Sequence, residues 1–352
     1  MPERRTLGRK QPSGRVTLRD VAREAGVSPS TASRALNGSR LISQATREGV
    51  LRVAARLEFA PDPLARALNA GGTNTVGAVI PTINHAIFAA FLEALEAGLD
   101  ANGYCLVIAT TGTDPRVELE RARSLLEMGA RALIVSGLEH EPELIGLAKR
   151  FGAPLVATSI HEAYASLPTI GYDNAGLARQ AMRHLLELGH TDIALVHGPT
   201  AQNDRTRLRI SGAESADGVR SLRKIETELS VRGGVIAAKQ LLSWERKPSA
   251  LLCVSDLIAL GAMSALQRSG LHVPRDMSVM GFDNISWSEH SNPPLTCMSL
   301  PVDAMGRESA QAICSLLEQG APIPSVLLEG EIKVRGSTCR PRVLSGEADG
   351  PG

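Results

Sequence analysis

Residues 17–38, TLRDVAREAGVSPSTASRALNG, constrain this chain more than any other stretch. Thr17 suits an N-cap, and Leu18, Val21, Ala22 and Ala25 recur behind it at helical spacing. Gly26 supplies the left-handed residue that ends a first helix. Ser28 then caps a second helix, with Pro29 in its first turn, where a missing N–H costs nothing. Ala32, Ala35 and Leu36 form the inward face, so Ser30, Thr31, Ser33 and Arg34 are expected to point outward. That layout is a helix-turn-helix whose second helix can enter the major groove of DNA. An ordinary αα-hairpin is the competing reading.

A third helix follows, QATREGVLRVAARLEF, with Ser43 as its cap. Its inner stripe is expected to be Ala45, Val50, Val53, Ala54 and Leu57. Charge supports a polyanion-binding head. Residues 1–70 carry 13 Lys/Arg against 6 Asp/Glu, a surplus of seven, so with +1 overall the rest of the chain carries −6. Aromatic residues make up only 3% of the chain, which argues against a stacking platform for single strands. Residues 1–14 read as a disordered basic arm and residues 15–60 as the DNA-binding domain. Residues 61–72, APDPLARALNAGG with its preceding Ala60, form a linker too short to be a stable helix alone.

From Val76 the pattern changes to apolar runs alternating with amphipathic helices. TVGAVIP, YCLVIATT, RALIVSG, APLVATS, TDIALVHG, SALLCVSD and MSVMGFD are expected strands of parallel sheet covered on both faces. Residues 73–340 exceed what one doubly wound sheet needs, so two similar α/β lobes with a cleft between them fit better. Residues 341–352 read as a disordered tail. The five cysteines are scattered, with no C-x-x-C pair, as expected of reduced thiols. No apolar signal region or membrane-length run appears, so a cytoplasmic location is expected.

Several segments resemble the lactose-repressor (LacI/GalR) family of bacterial transcription regulators. They are VTLRDVAREAGVSPSTASRALNG, TREGVLRVAARLEFAPDPLARAL, YDNAGLARQAMRHLLELGHTDIALVHG, SDLIALGAMSALQRSGLHVPRDMSVMGFDN, PPLT and IKVRGST, in family order over roughly residues 15–340. The resemblance implies a small all-α helix-turn-helix head on a periplasmic-binding-protein-like body of two doubly wound parallel-sheet lobes. It implies a homodimeric regulator, most simply a repressor, that binds a palindromic operator in double-stranded DNA. A small-molecule effector, with a sugar or sugar acid as the expected class, would sit in the cleft.

The resemblance places Ser30 and Arg34 at base-reading positions. Arg34 could give two parallel donors to O6 and N7 of guanine. Thr17, Thr31 and Ser33 would hold phosphates, and Ser28, Pro29 and Asn37 complete the expected DNA-facing set. The family's hinge helix corresponds to residues 61–69, with Leu68 matching the leucine that wedges into the central base step. Glu58 stands where the family often has a C-capping glycine, and Gly49 interrupts the third helix.

In the body, the resemblance puts Arg209 and Asp283 at effector-contacting positions. A guanidinium and a carboxylate facing one cleft could fork-bind hydroxyls or a carboxylate, or simply pair with each other. Asn84, His85 and Phe88 fall in the first lobe's pocket loop, and Ser255 stands where many relatives carry asparagine. Asp256 reads as a helix N-terminal residue rather than a contact. In open α/β sheets ligands lie beyond the carboxyl ends of the strands, which directs attention to the same loops. No cofactor or metal site is expected, because His184 and His190 lack zinc-ligand spacing. An exported sugar-binding protein would lack the basic head. An α/β enzyme would need a dinucleotide fingerprint, a P-loop or a nucleophile elbow, and none is present. No heptad-patterned segment follows IKVRGST, so a dimer rather than a tail-mediated tetramer is expected.

Overall fold

Local capping decides the head. The computed structural model describes residues 16–36, 39, 41–59 and 73–342. The basic arm, Asn37, the hinge residues 61–72 with Leu68, and the tail beyond 342 lie outside them. Helix α1 (Leu18–Glu24) starts at Thr17, which forms a capping box with Asp20. Gly26 takes φ +64° and turns the chain, as its sequence position predicts. Helix α2 (Pro29–Leu36) is capped by Ser28, whose Oγ accepts from the Thr31 N–H at 3.1 Å. Helix α3 (Gln44–Arg56) starts at Ser43 and runs through Gly49 without a break.

Val21, Ala22, Ala32, Ala35, Val50 and Ala54 form the head's own small core. One expectation fails here: Ala45 is exposed, and Ile42, just before the helix, packs on the core instead. The first turn of α3 therefore lies outside the contact with α1 and α2. Glu58 adopts φ +50°, so a residue with a Cβ fills the left-handed position after α3.

The chain divides into two compact units at Thr73/Asn74. The second unit holds two six-stranded sheets. The first sheet contains β1 (Thr75–Ile80), β2 (Cys105–Thr110), β3 (Ala132–Ser136), β4 (Leu155–Thr158), β5 (Thr169–Gly171) and β11 (Val326–Leu327). Their spatial order is β11-β5-β4-β3-β1-β2, all parallel. The second sheet contains β6 (Asp192–His197), β7 (Ser221–Glu226), β8 (Ala250–Cys253), β9 (Ser278–Asp283), β10 (Thr296–Ser299) and β12 (Glu331–Lys333). Its order is β12-β10-β9-β8-β6-β7, with only β12 antiparallel.

Helices α4 (Ala86–Asp100), α5 (Pro115–Glu127), α6 (Glu143–Arg150) and α12 (Val302–Gln319) cover the first sheet. Helices α7 (Asn174–Glu187), α8 (Asp204–Glu214), α9 (Val231–Leu242) and α10 (Asp256–Arg268), with the short α11 (Ser286–His290), cover the second. The chain crosses between lobes three times, after β5, after β10 and after β11.

Each central strand is buried on both faces, so neighbouring residues feed different cores. Ile134 and Leu252 join a core that runs through both lobes, while Leu133 and Leu251 join the outer layers under α5–α6 and α9–α10. At roughly 1.5–3 kcal/mol for each fully buried large aliphatic side chain, this double coverage fixes the strands and leaves their carboxyl-end loops to carry chemistry.

Candidate functional site

The carboxyl ends of both sheets face one cavity of about 230 Å³. All six residues expected to contact an effector, Asn84, His85, Phe88, Arg209, Ser255 and Asp283, line it. Asn84, His85 and Phe88 follow β1. Arg209 stands on α8, Ser255 follows β8, and Asp283 ends β9.

Arg209 is fixed on four sides. Its Nε donates to Asn174 Oδ1 at 2.9 Å and its Nη1 to the Val254 carbonyl at 2.8 Å. Its guanidinium lies 4.3 Å from the centroid of the Phe282 ring, and Nη1 stands 3.8 Å from Asp283 Oδ1. Arg209 and Asp283 both belong to the second lobe, so their pairing lies within one wall and does not span the cleft. Asn174 also donates from Nδ2 to the Ser159 carbonyl at 2.9 Å, tying Arg209 to the first lobe.

His85 does span the cleft. A histidine in a loop is usually solvated, yet this one is buried, because Nε2 reaches Ser255 Oγ of the other lobe at 3.2 Å. Nε2 lies 4.0 Å from Asp283 Oδ2. Burial first, and Arg209 second, drive the pKa of His85 down to about 4, so its ring is neutral at physiological pH.

Asp256 opens α10, as expected, but it is not a solvated cap. It is fully buried; its Oδ2 accepts from the Ile285 N–H at 2.9 Å and the Ser288 hydroxyl at 2.5 Å. Its own N–H donates to Asp283 Oδ2 at 3.3 Å. Both carboxyls are pushed above the usual carboxylate range. Burial is the first cause for each. For Asp256 the neighbouring Asp283 charge adds to it, while for Asp283 the Arg209 guanidinium opposes it.

A carboxyl whose folded pKa is raised stabilises the fold below its ordinary pKa, and that stability is lost as pH rises through the raised value. Asp256→Asn keeps an acceptor for Ile285 and Ser288 and removes the charge that adjoins Asp283. We expect it to raise the unfolding midpoint at pH 8, where the parent buries two adjacent carboxylates. That gain should vanish near pH 4. Thermal scans at the two pH values check this.

The cavity also contains residues that sequence reasoning missed: Ser159, Tyr172, Arg205, Thr206 and Leu229. Ser159 and Tyr172 follow β4 and β5, so the carboxyl-end rule would have found them had those loops been followed. Non-glycine residues with positive φ gather here too: Thr113 (+78°), Ser159 (+65°) and Asp283 (+149°) line the cavity, and Asn284 (+64°) follows Asp283. Such strain persists where surrounding contacts over-determine the backbone. Arg335 supplies some of them, donating to Asn284 Oδ1 at 2.8 Å and to the Leu295 carbonyl at 2.8 Å. Among the described residues no cluster of His, Cys, Asp and Glu has metal-binding geometry. His190 is a satisfied core histidine, held by Ser249, Ser278 and the Cys339 carbonyl.

In the head, α2 presents Ser28, Pro29, Ser30 and Arg34 to solvent, with Thr31 and Ser33 half-buried. Ser28 Oγ lies 2.8 Å from both Ser30 Oγ and Thr31 Oγ1, so the cap also orients its neighbours' hydroxyls. Thr17 is exposed at the start of α1, though its side chain is engaged with Asp20 at 2.6 Å.

Comparisons with known proteins agree with this anatomy. Residues 17–62 match the description "Bacterial regulatory proteins, lacI family", and residues 182–338 match "Periplasmic binding protein-like domain". The ribose operon repressor of Haemophilus influenzae is 30% identical over 305 residues, covering 84% of this chain and 90% of its own. The HTH-type transcriptional repressor CytR of Escherichia coli is 30% identical over 341 residues, covering 92% and 96%. The lac repressor dimer, solved bound to operator and the anti-inducer ONPF, superimposes with a TM-score of 0.83 at 27% identity, over 92% of this chain and 99% of its own.

Proposed function

The chain belongs to the LacI family of bacterial regulatory proteins, and from that premise we propose that it is an operator-binding repressor whose cleft takes a neutral, polyhydroxylated effector of monosaccharide size. The observation that carries the effector class is the mixed polar lining of one cavity, in which neutral donors and acceptors outnumber charges. Asn84, His85, Ser159, Tyr172, Thr206 and Ser255 stand there beside the already paired Arg209 and Asp283. They offer both donors and acceptors, which suits hydroxyls, while Ile87, Phe88, Leu229 and Val254 give the cavity apolar walls that suit the C–H face of a sugar ring. At about 230 Å³ the cavity is smaller than the roughly 300–1,000 Å³ typical of drug-sized ligands. The relative named as a ribose operon repressor points to the same class.

On DNA, Ser30 and Arg34 read base edges. Thr17, Thr31 and Ser33 hold phosphates, with Ser28, Pro29 and Asn37 beside them. The protein acts as a homodimer in the cytoplasm, with residues 61–72 as a hinge that inserts Leu68 into the minor groove. It regulates and does not turn over its ligand. Residues 15–60 form the DNA-binding domain and residues 73–340 the effector domain.

Thermal unfolding with D-ribose, other aldopentoses and aldohexoses tests the effector class. A sugar at about 100 times its dissociation constant should stabilise the body by about 2.7 kcal/mol, and Asp283→Ala should erase that shift. A shift from nucleosides or dicarboxylates, with none from any sugar, would refute the polyol reading.

A further inference from the structure

Away from His85 and from the Asn174–Ser159 hydrogen bond, the lobes also meet along the first turns of α8. The Leu138 N–H of the first lobe donates to Asp204 Oδ2 at 2.6 Å. Arg205 Nη1 donates to the Ser136 carbonyl at 2.8 Å and to Asp204 Oδ1 at 2.9 Å. Arg207 pairs with Glu139 while its Nη1 donates to the Thr200 carbonyl of its own lobe at 2.5 Å. The first turn of α8 thus grips the loop after β3.

That loop is itself held firmly. The Gly137 N–H donates to the Thr158 carbonyl at 2.9 Å, and its carbonyl lies 3.0 Å from His140 Nε2. His140 Nδ1 sits 2.7 Å from the buried Glu118. Gly137 adopts φ +84°, and a Cβ there would lie 1.8 Å from Arg205 Nη1 and 2.7 Å from Asp204 Oδ1. The space that glycine leaves is the space the guanidinium occupies.

We propose that Asp204, Arg205 and Arg207 form a strap that holds the two lobes closed before any effector arrives. Arg205, which also lines the cavity, is the positioning residue that joins strap to ligand site. The biological meaning of the strap rests on reading that cavity as the effector site, but its mechanics do not. A ligand entering a body already closed forgoes the cost of closing it, so the strap raises effector affinity. The strap, the His85–Ser255 contact and the Asn174–Ser159 hydrogen bond close the cleft at separate points. Cutting the strap removes one of the three and should expose the side chains that line the cavity.

Hydroxyl-radical footprinting of the full-length, ligand-free protein reads this directly. Gly137→Ala pushes the Arg205 guanidinium off Ser136, and Arg205→Ala removes it. Each should raise the modification rate of His85 and Tyr172 several-fold, while Phe91, in the core of the first lobe, stays at the parental rate. Arg205→Lys can still donate to the Ser136 carbonyl and should restore protection at His85. If Gly137→Ala unfolds, Phe91 reacts too and Arg205→Ala decides the matter. Parental rates at His85 and Tyr172 in a folded Arg205→Ala chain would overturn the strap. No ligand enters this experiment, so a wrong effector class cannot produce either result.

Discussion

Arg209→Ala should cost the effector domain about 3–5 kcal/mol and abolish its response to ligand. The magnitude follows from removing one partner of a buried charge pair, which leaves the other without compensation. Arg209 is 8% exposed and Asp283 3% exposed, so water entering from the cavity replaces the lost guanidinium only in part. Its departure also frees Asn174 Oδ1 and the Val254 carbonyl, each buried acceptors in a tight corner. Asp283 would move further toward protonation, because Arg209 is the cation that holds its pKa down. The loss should therefore be larger at pH 8 than at pH 5. Arg209→Lys should rescue little, since an ammonium can neither stack on Phe282 nor meet two acceptors in one plane. Urea unfolding at both pH values measures the loss, and a cost below about 1 kcal/mol would show that Arg209 is not clamped as its contacts indicate.

Arg34→Ala should relax discrimination at one base pair of each half-site by about 1–3 kcal/mol while leaving the other positions intact. Arg34 is exposed near the end of α2, and the hydroxyls of Ser28, Ser30 and Thr31 lie together at the start of that helix. A Thr31→Val change should instead weaken binding to all sequences alike, as loss of a phosphate contact does. Selection from a random duplex library by parent and variants separates the two effects. Uniform weakening by Arg34→Ala would mean that this arginine touches only the backbone.

The head was legible in the sequence because its signals are local. Thr17, Ser28 and Ser43 cap the helices they precede, and Gly26 turns the chain, all within a few residues. The seven expected strands are present because each is buried on both faces or pairs with one that is. β7 was not legible: SLRKIE lies at a sheet edge, mostly half-buried, and its charges hide any strand pattern. β5, β11 and β12 have three residues or fewer, too short for periodicity to register.

At the site, motif position identified Arg209, Asp283 and Ser255, but not what surrounds them. The burial of His85 depends on Ser255, 170 residues away. The buried pairing of Asp256 with Asp283 depends on two strand ends that meet only in the folded sheet. Asn174 and Arg205 act through backbone carbonyls and other side chains, which leave no trace in a linear pattern.

The three crossings between lobes dictate an order of assembly during synthesis. The first lobe is not finished when its early strands emerge, because α12 and β11 reach it only after nearly all of the second lobe has been made. The Thr169 N–H finds its acceptor on Ser325, 156 residues later. Likewise β10 waits for β12, which returns from the first lobe to pair with it. A nascent chain therefore carries one apolar face of the first sheet incompletely covered, and the β10 edge of the second sheet unpaired, until α12, β11 and β12 have been made. Long-range closure of this kind slows folding and leaves intermediates with apolar surface exposed, so the body should refold more slowly than a domain of equal size with local contacts.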